Sequence, residues 1–202
     1  MPGLETLFAT RIYRASLGSG LAREITRCCV SLAASDKAGR GWCRANAYAG
    51  YTSYASLDDL PWRFPEFASF VAKLAPHVKS FAESLDFDLK GRPLELDSLW
   101  VNVLSPGGAH GSHLHPHAVI SGTFYAAVPK GASAIRFEDP RLGLMMAAPI
   151  RHARARRDNR QFVSMKPKTG TLLLWESWLR HEVPVNAAKS DRISVSFNYR
   201  WG

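Results

Sequence analysis

The stretch HGSHLHPHAV, residues 110–119, places four of the chain's seven histidines within eight positions. Histidine is the commonest metal ligand among side chains. His113-x-His115 has the spacing of a ligand pair, because residues i and i+2 of an extended segment share a face. His117 continues the series and is the rival for a ligand position; Pro116 is expected to end the extended stretch, which favours the 113/115 pair. A distant third ligand is available at His181, in GTLLLWESWLRHEVPVN, after an apolar strand and a short turn. Three imidazoles suit zinc as well as iron and other divalent ions. Eleven positions further on, Arg192 opens RISVSFNYR, and a guanidinium fork can pair bidentately with a carboxylate. His110 and His152 read as solvent-exposed.

These residues need a scaffold. Leu21, Ile25, Cys28 and Leu32 recur at helical spacing over 20–34, with Ser19 as a cap. Phe67, Phe70, Val71, Leu74, Val78, Phe81 and Leu85 form a second helical stripe over 65–87. Pro76 interrupts it, which predicts a kink or two consecutive helices. The stretch between, AGRGWCRANAYAGYTSYASL, reads as irregular. After the turn at Lys90-Gly91-Arg92-Pro93 the pattern changes to short strands at 94–104, 119–128, 134–138, 162–166, 170–175 and 192–200. Strands so spaced, without intervening helices, indicate an antiparallel sandwich or barrel. One domain is expected over 1–202, with a mainly helical flank (1–93) packed outside a β core (94–202).

The strand RISVSFNYR poses its own question. Ile193, Val195, Phe197 and Tyr199 point one way; Arg192, Ser194, Ser196 and Asn198 point the other. The polar row fits either a water-facing surface or the lumen of a barrel that binds a polar ligand.

Composition narrows the class. With 46% hydrophobic and 21% charged residues the chain has a soluble globular make-up. No apolar run is long enough for a membrane span, and the first residues lack a secretory layout, so a cytoplasmic protein is expected. Three cysteines, two of them adjacent at Cys28 and Cys29, form neither a disulfide framework nor a zinc knuckle. The net charge of +9 draws five arginines from RHARARRDNR, 151–160. Without stacking aromatics or a recognition motif, nucleic acid is the lesser reading of that segment. A solvated loop or a surface for an acidic partner is the greater, and a lid over the pocket or contact with an acidic or phosphate-bearing substrate also fits. A homodimer through the helical half stays open.

HLHPHAVISGTFYAAVP, IRFEDPR, PKTGTLLLWESWLRHEVPVN and DRISVSFNY together resemble a bacterial and phage group of iron(II)/2-oxoglutarate-dependent oxygenases. ETLFATRIY, YAGYTSYASLDDL and FPEFASFVAKL extend the likeness more faintly into the first half. The resemblance implies a double-stranded β-helix, or jelly roll, and a dioxygenase that commonly hydroxylates its substrate. It implies Fe(II) on His113, His115 and His181, and 2-oxoglutarate as co-substrate held by Arg192 and Ser194, with Asn102 and Tyr125 as further holders or as structural polar groups. Molecular oxygen and a prime substrate that the sequence does not name complete the reaction. His115 departs from the superfamily's Asp or Glu. Glu138, Asp139 or Glu182 could still complete or tune the site. Trp175 and Trp178 could line the pocket, one of them serving core packing. The alternatives are a cupin-like three-histidine metalloenzyme without 2-oxoglutarate, which has no use for Arg-x-Ser, and a non-catalytic jelly roll that binds an anion or nucleic acid.

Overall fold

In the computed structural model, which describes residues 3–141 and 146–202, the chain runs β1 (Ile12–Ser16), α1 (Gly18–Ser35), α2 (Lys37–Ala45), β2 (Gly50–Thr52), α3 (Leu60–Arg63) and α4 (Pro65–Ser84). The β half follows as β3 (Leu94–Leu104), β4 (His110–His113), β5 (Ile120–Ala127), β6 (Ile135–Glu138), β7 (Phe162–Met165), β8 (Thr171–Glu176), β9 (His181–Val183) and β10 (Arg192–Trp201). Every pairing is antiparallel. A major sheet is ordered β1-β8-β5-β10-β3-β2 and a minor sheet β4-β9-β6-β7. The two make the double-stranded β-helix, mainly β with flanking helices.

The helices cover the outer face of the major sheet. Leu21, Ile25, Cys29 and Leu32 of α1 and Phe67, Phe70, Leu74, Val78 and Phe81 of α4 share one core with Val101, Phe124, Leu174, Val195 and Phe197. Four local expectations are corrected. Cys29, not Cys28, is the buried α1 cysteine, since Ala22, Ile25 and Cys29 keep the inward stripe. Ser19 lies inside α1, and Leu17 occupies the cap position without a side-chain hydrogen bond. Of the two outcomes expected at Pro76, two consecutive helices are ruled out, because α4 runs through it as one element. The segment expected to be irregular supplies α2 and β2 instead. Asp36 starts α2 by accepting a hydrogen bond from the Gly39 amide at 3.0 Å, an N-cap interaction. The helical first half also contributes β1 and β2 as the two edges of the major sheet.

Both faces of β10 are buried, and this settles its polar row. Arg192, Ser194 and Asn198 are buried, as are Ile193, Val195 and Phe197. The polar side chains face the space between the sheets, so the strand has a polar lumen face. In register across the major sheet, Ser194 lies beside Tyr125 and Asn102, and Ser196 beside Thr123 and Trp100. Among the described residues no helix is long and apolar enough to cross a membrane.

Candidate metal centre and co-substrate pocket

Strands β4 and β9 pair so that His113 stands directly opposite His181. His115 follows β4, its amide donating to the Ser177 carbonyl at 3.1 Å. The three side chains converge, each offering a ligand atom within 4.8 Å of the others. Tautomers follow from their neighbours. The Nδ1 of His113 lies 2.7 Å from the Gly111 carbonyl and that of His181 2.9 Å from the Leu179 carbonyl. A carbonyl only accepts, so both Nδ1 atoms carry the proton and both Nε2 atoms present lone pairs. The Nε2 atoms of His115 and His181 are 3.3 Å apart. Two nitrogens about 2.1 Å from one ion, at octahedral to tetrahedral angles, would sit about 3.0–3.4 Å apart. The donor set therefore fits a divalent metal. Burial, then the charge of His113, lowers the pKa of His115 to about 4. Burial again leads for His181, lowering it to about 3. Both are neutral, and able to ligate, at physiological pH.

No carboxylate joins the triad among the described residues. Glu182 pairs with Arg136 at 2.5 Å, Glu138 with Arg180 at 3.8 Å and Asp139 with Arg141 at 2.9 Å. His117 is exposed on a turn with φ 67°, and His152 is exposed. His110 departs from expectation: it is half-buried and lines the same cavity as the triad. Its Nε2 shares a 2.7 Å hydrogen bond with the Tyr48 hydroxyl. Burial and then the nearby Arg192 charge lower its pKa to about 4. Its place as the first histidine of the run was the available signal; nothing in the sequence pointed to Tyr48.

That cavity, about 60 Å³, joins the three histidines to Arg192, Ser194, Asn102, Tyr125 and Trp175. Arg192 is 1% exposed, its guanidinium 4.8 Å from the centre of the Tyr125 ring. Its Nη1 donates to Ser194 Oγ at 3.4 Å. Among the described residues it faces no carboxylate, and its Nε has no partner. Tyr125 Oη and Trp175 Nε1 are likewise buried without partners. An unpaired buried cation costs several kcal/mol, and each orphaned donor about 1–3 kcal/mol. The lumen thus has the donors an oxygen-rich anion would satisfy, beside a site for a divalent ion. Asn102 is already engaged: its Oδ1 accepts from Thr52 Oγ1 at 3.0 Å and its Nδ2 donates to Ser196 Oγ at 3.3 Å. Trp178, 46% exposed, is not among the residues lining this cavity.

A family model described as "Putative 2OG-Fe(II) oxygenase" matches residues 98–198, half of the chain. The chain belongs to this family, whose members depend on Fe(II) and 2-oxoglutarate and use molecular oxygen on a prime substrate. Similar solved structures agree on the fold. A Pseudomonas putida prolyl-4-hydroxylase is 15% identical, with a TM-score of 0.62 over 96% of this chain and 94% of that one. HygX from Streptomyces hygroscopicus, solved with nickel and 2-oxoglutarate bound, is 15% identical, with a TM-score of 0.60 over 95% and 82%. A 2OG-Fe(II) oxygenase family oxidoreductase from Burkholderia pseudomallei is 16% identical, with a TM-score of 0.50; 69% of this chain spans 60% of that one. No curated protein matches the sequence.

Proposed function

We propose that residues 1–202 form one dioxygenase domain, a hydroxylase in which His113, His115 and His181 hold Fe(II) and Arg192 with Ser194 holds the distal carboxylate of 2-oxoglutarate. The carrying observation is Arg192: a buried guanidinium that no carboxylate faces among the described residues, on the lumen face that also opens on the triad. Tyr125 supports the guanidinium from below and offers a hydroxyl. Asn102 holds the pocket wall in place through Thr52 and Ser196. When bound, iron and 2-oxoglutarate supply oxidative decarboxylation: one oxygen atom of O₂ enters succinate, released with carbon dioxide, and the other enters a C–H bond of the substrate. The protein's own part is to keep His115 and His181 neutral, to hold the three imidazoles convergent, to orient the co-substrate, and to exclude water.

The prime substrate is proposed to be acidic or phosphate-bearing. Arg157 and Arg160 of the basic segment line a cleft of about 500 Å³ floored by Phe137, Met165 and Leu179, and Phe137 pairs in register with His181. Unchanged turnover after replacing Arg154, Arg156 and Arg157 together would remove this reading. A cytoplasmic location belongs to the same proposal.

The deciding experiment is anaerobic. Fe(II)-loaded protein is titrated with 2-oxoglutarate and the visible charge-transfer band of a chelated keto acid is followed. A band lost in Arg192→Leu and in His115→Ala supports the assignment. Stoichiometric metal without a band shifts the weight to a three-histidine enzyme of another class. Absence of both metal and band favours a binding protein.

A further inference from the structure

Trp175 sits on the lumen face of β8, 2% exposed and walled by Phe137, whose ring centre is 5.3 Å away at 70°. Its neighbours in this second cluster include Leu173 and Leu179. Packing alone would be served by a phenylalanine here, yet the side chain carries an N–H that finds no acceptor among the described residues. A dry N–H is a standing loss of about 1–3 kcal/mol unless something supplies an acceptor. The ring meets His181 edge-on, centres 4.7 Å apart at 67°, and lines the cavity shared with the triad. Trp175 is opposite Ser121 on β5, four residues before Tyr125, a separation of about 13 Å along the strand. The orphaned donors therefore fall at two ends of the β5 register: Arg192 with Tyr125 at one, and Trp175, against His181, at the other.

Resting on the function proposed above, we propose that Trp175 donates its indole N–H to the metal-chelating end of 2-oxoglutarate, a co-substrate contact separate from the one made by Arg192. The donor would fix the rotation of the keto acid about the metal, which the distal carboxylate contact alone does not determine.

The test is Trp175→Phe, which keeps an aromatic ring and removes the donor. Under anaerobic conditions its Fe(II) affinity should match wild type. Its Kd for 2-oxoglutarate should rise about tenfold, the worth of a hydrogen bond to a charged acceptor, and the charge-transfer maximum should move. Wild-type Kd and band in the variant would overturn the assignment. Should the variant fail to fold, wild-type protein loaded with Zn(II) provides a second readout. One of its six indole N–H proton resonances should move downfield on adding 2-oxoglutarate. None moving, while a thermal shift reports binding, overturns it. A wild type with neither band nor thermal shift overturns the assignment together with the reading beneath it, which keeps the two failures apart.

Discussion

The guanidinium of Arg192 stacks 4.8 Å from the centre of the Tyr125 ring, both side chains fully buried. Stacking on a ring face offsets part of the desolvation of a cation, but no carboxylate among the described residues faces the fork's donors. Arg192→Leu should therefore separate stability from function. The ligand-free variant should melt no lower than wild type, because a buried unpaired charge is removed. Its affinity for 2-oxoglutarate should fall at least about 100-fold. Arg192→Lys should recover little, since an ammonium lacks the planar fork. Paired thermal melts and anaerobic titrations check both halves.

The triad predicts a graded response to metal. His181→Ala, which removes a buried imidazole whose tautomer is fixed by Leu179, should abolish stoichiometric Fe(II). His115→Asp should retain it, because it recreates two histidines and one carboxylate at a position that no other carboxylate reaches among the described residues. Metal analysis after gel filtration distinguishes the two. Loss of iron in His115→Asp would mean that the pocket around His115, including Trp100 5.8 Å away, accepts only an imidazole.

Asp36 offers a pH test away from the metal. Burial pushes its pKa up, but hydrogen bonds from the Gly39 amide, Ser56, Tyr51 and the Ala38 amide together outweigh this and hold it below the usual aspartate value. A carboxyl depressed in the folded state stabilises above its unfolded pKa, and that contribution is lost as pH falls through the folded one. Asp36→Ala should cost about 1–2 kcal/mol at neutral pH. The gap between variant and wild type should close below the ordinary aspartate range, as read by denaturant unfolding across pH.

Gly122 is a packing constraint within the SGTFY strand. A Cβ there would lie 2.5 Å from the Phe197 ring and 2.6 Å from Leu174 Cδ2. Gly122→Ala should destabilise by about 1–3 kcal/mol, lowering Tm by several degrees. Phe197→Leu in the same background should restore part of the loss if the clash is the cause.

Much of this architecture was legible because it depended on local alternation. Six of the strands were expected near their observed bounds, and the helical stripes at Ile25 and Phe70 point where their spacing says. The short strands β1, β2, β4 and β9 were not legible. Length is not the whole reason, since β6 and β7 have four residues each; pairing with distant segments, rather than a local alternation, decides these four. The site divides the same way. His113 and His115 were legible as a pair, and Arg192 and Ser194 as a shared face. His110 reads as exposed because its hydrogen-bond partner, Tyr48, lies 62 positions away in the sequence. Nor could the sequence tell a lumen from a surface in β10, because both show the same alternation.

That last ambiguity has an engineering consequence. Ser194, Ser196 and Asn198 occupy an interior that hydropathy would fill with valine or leucine. A redesign guided by stability alone would replace them, and Arg192 with them, and obtain a tougher, drier barrel. Thermal resistance and ligand capacity compete for the same inward row. A screen of this chain that selected only for melting temperature should drift toward an inert scaffold, and do so first along β10.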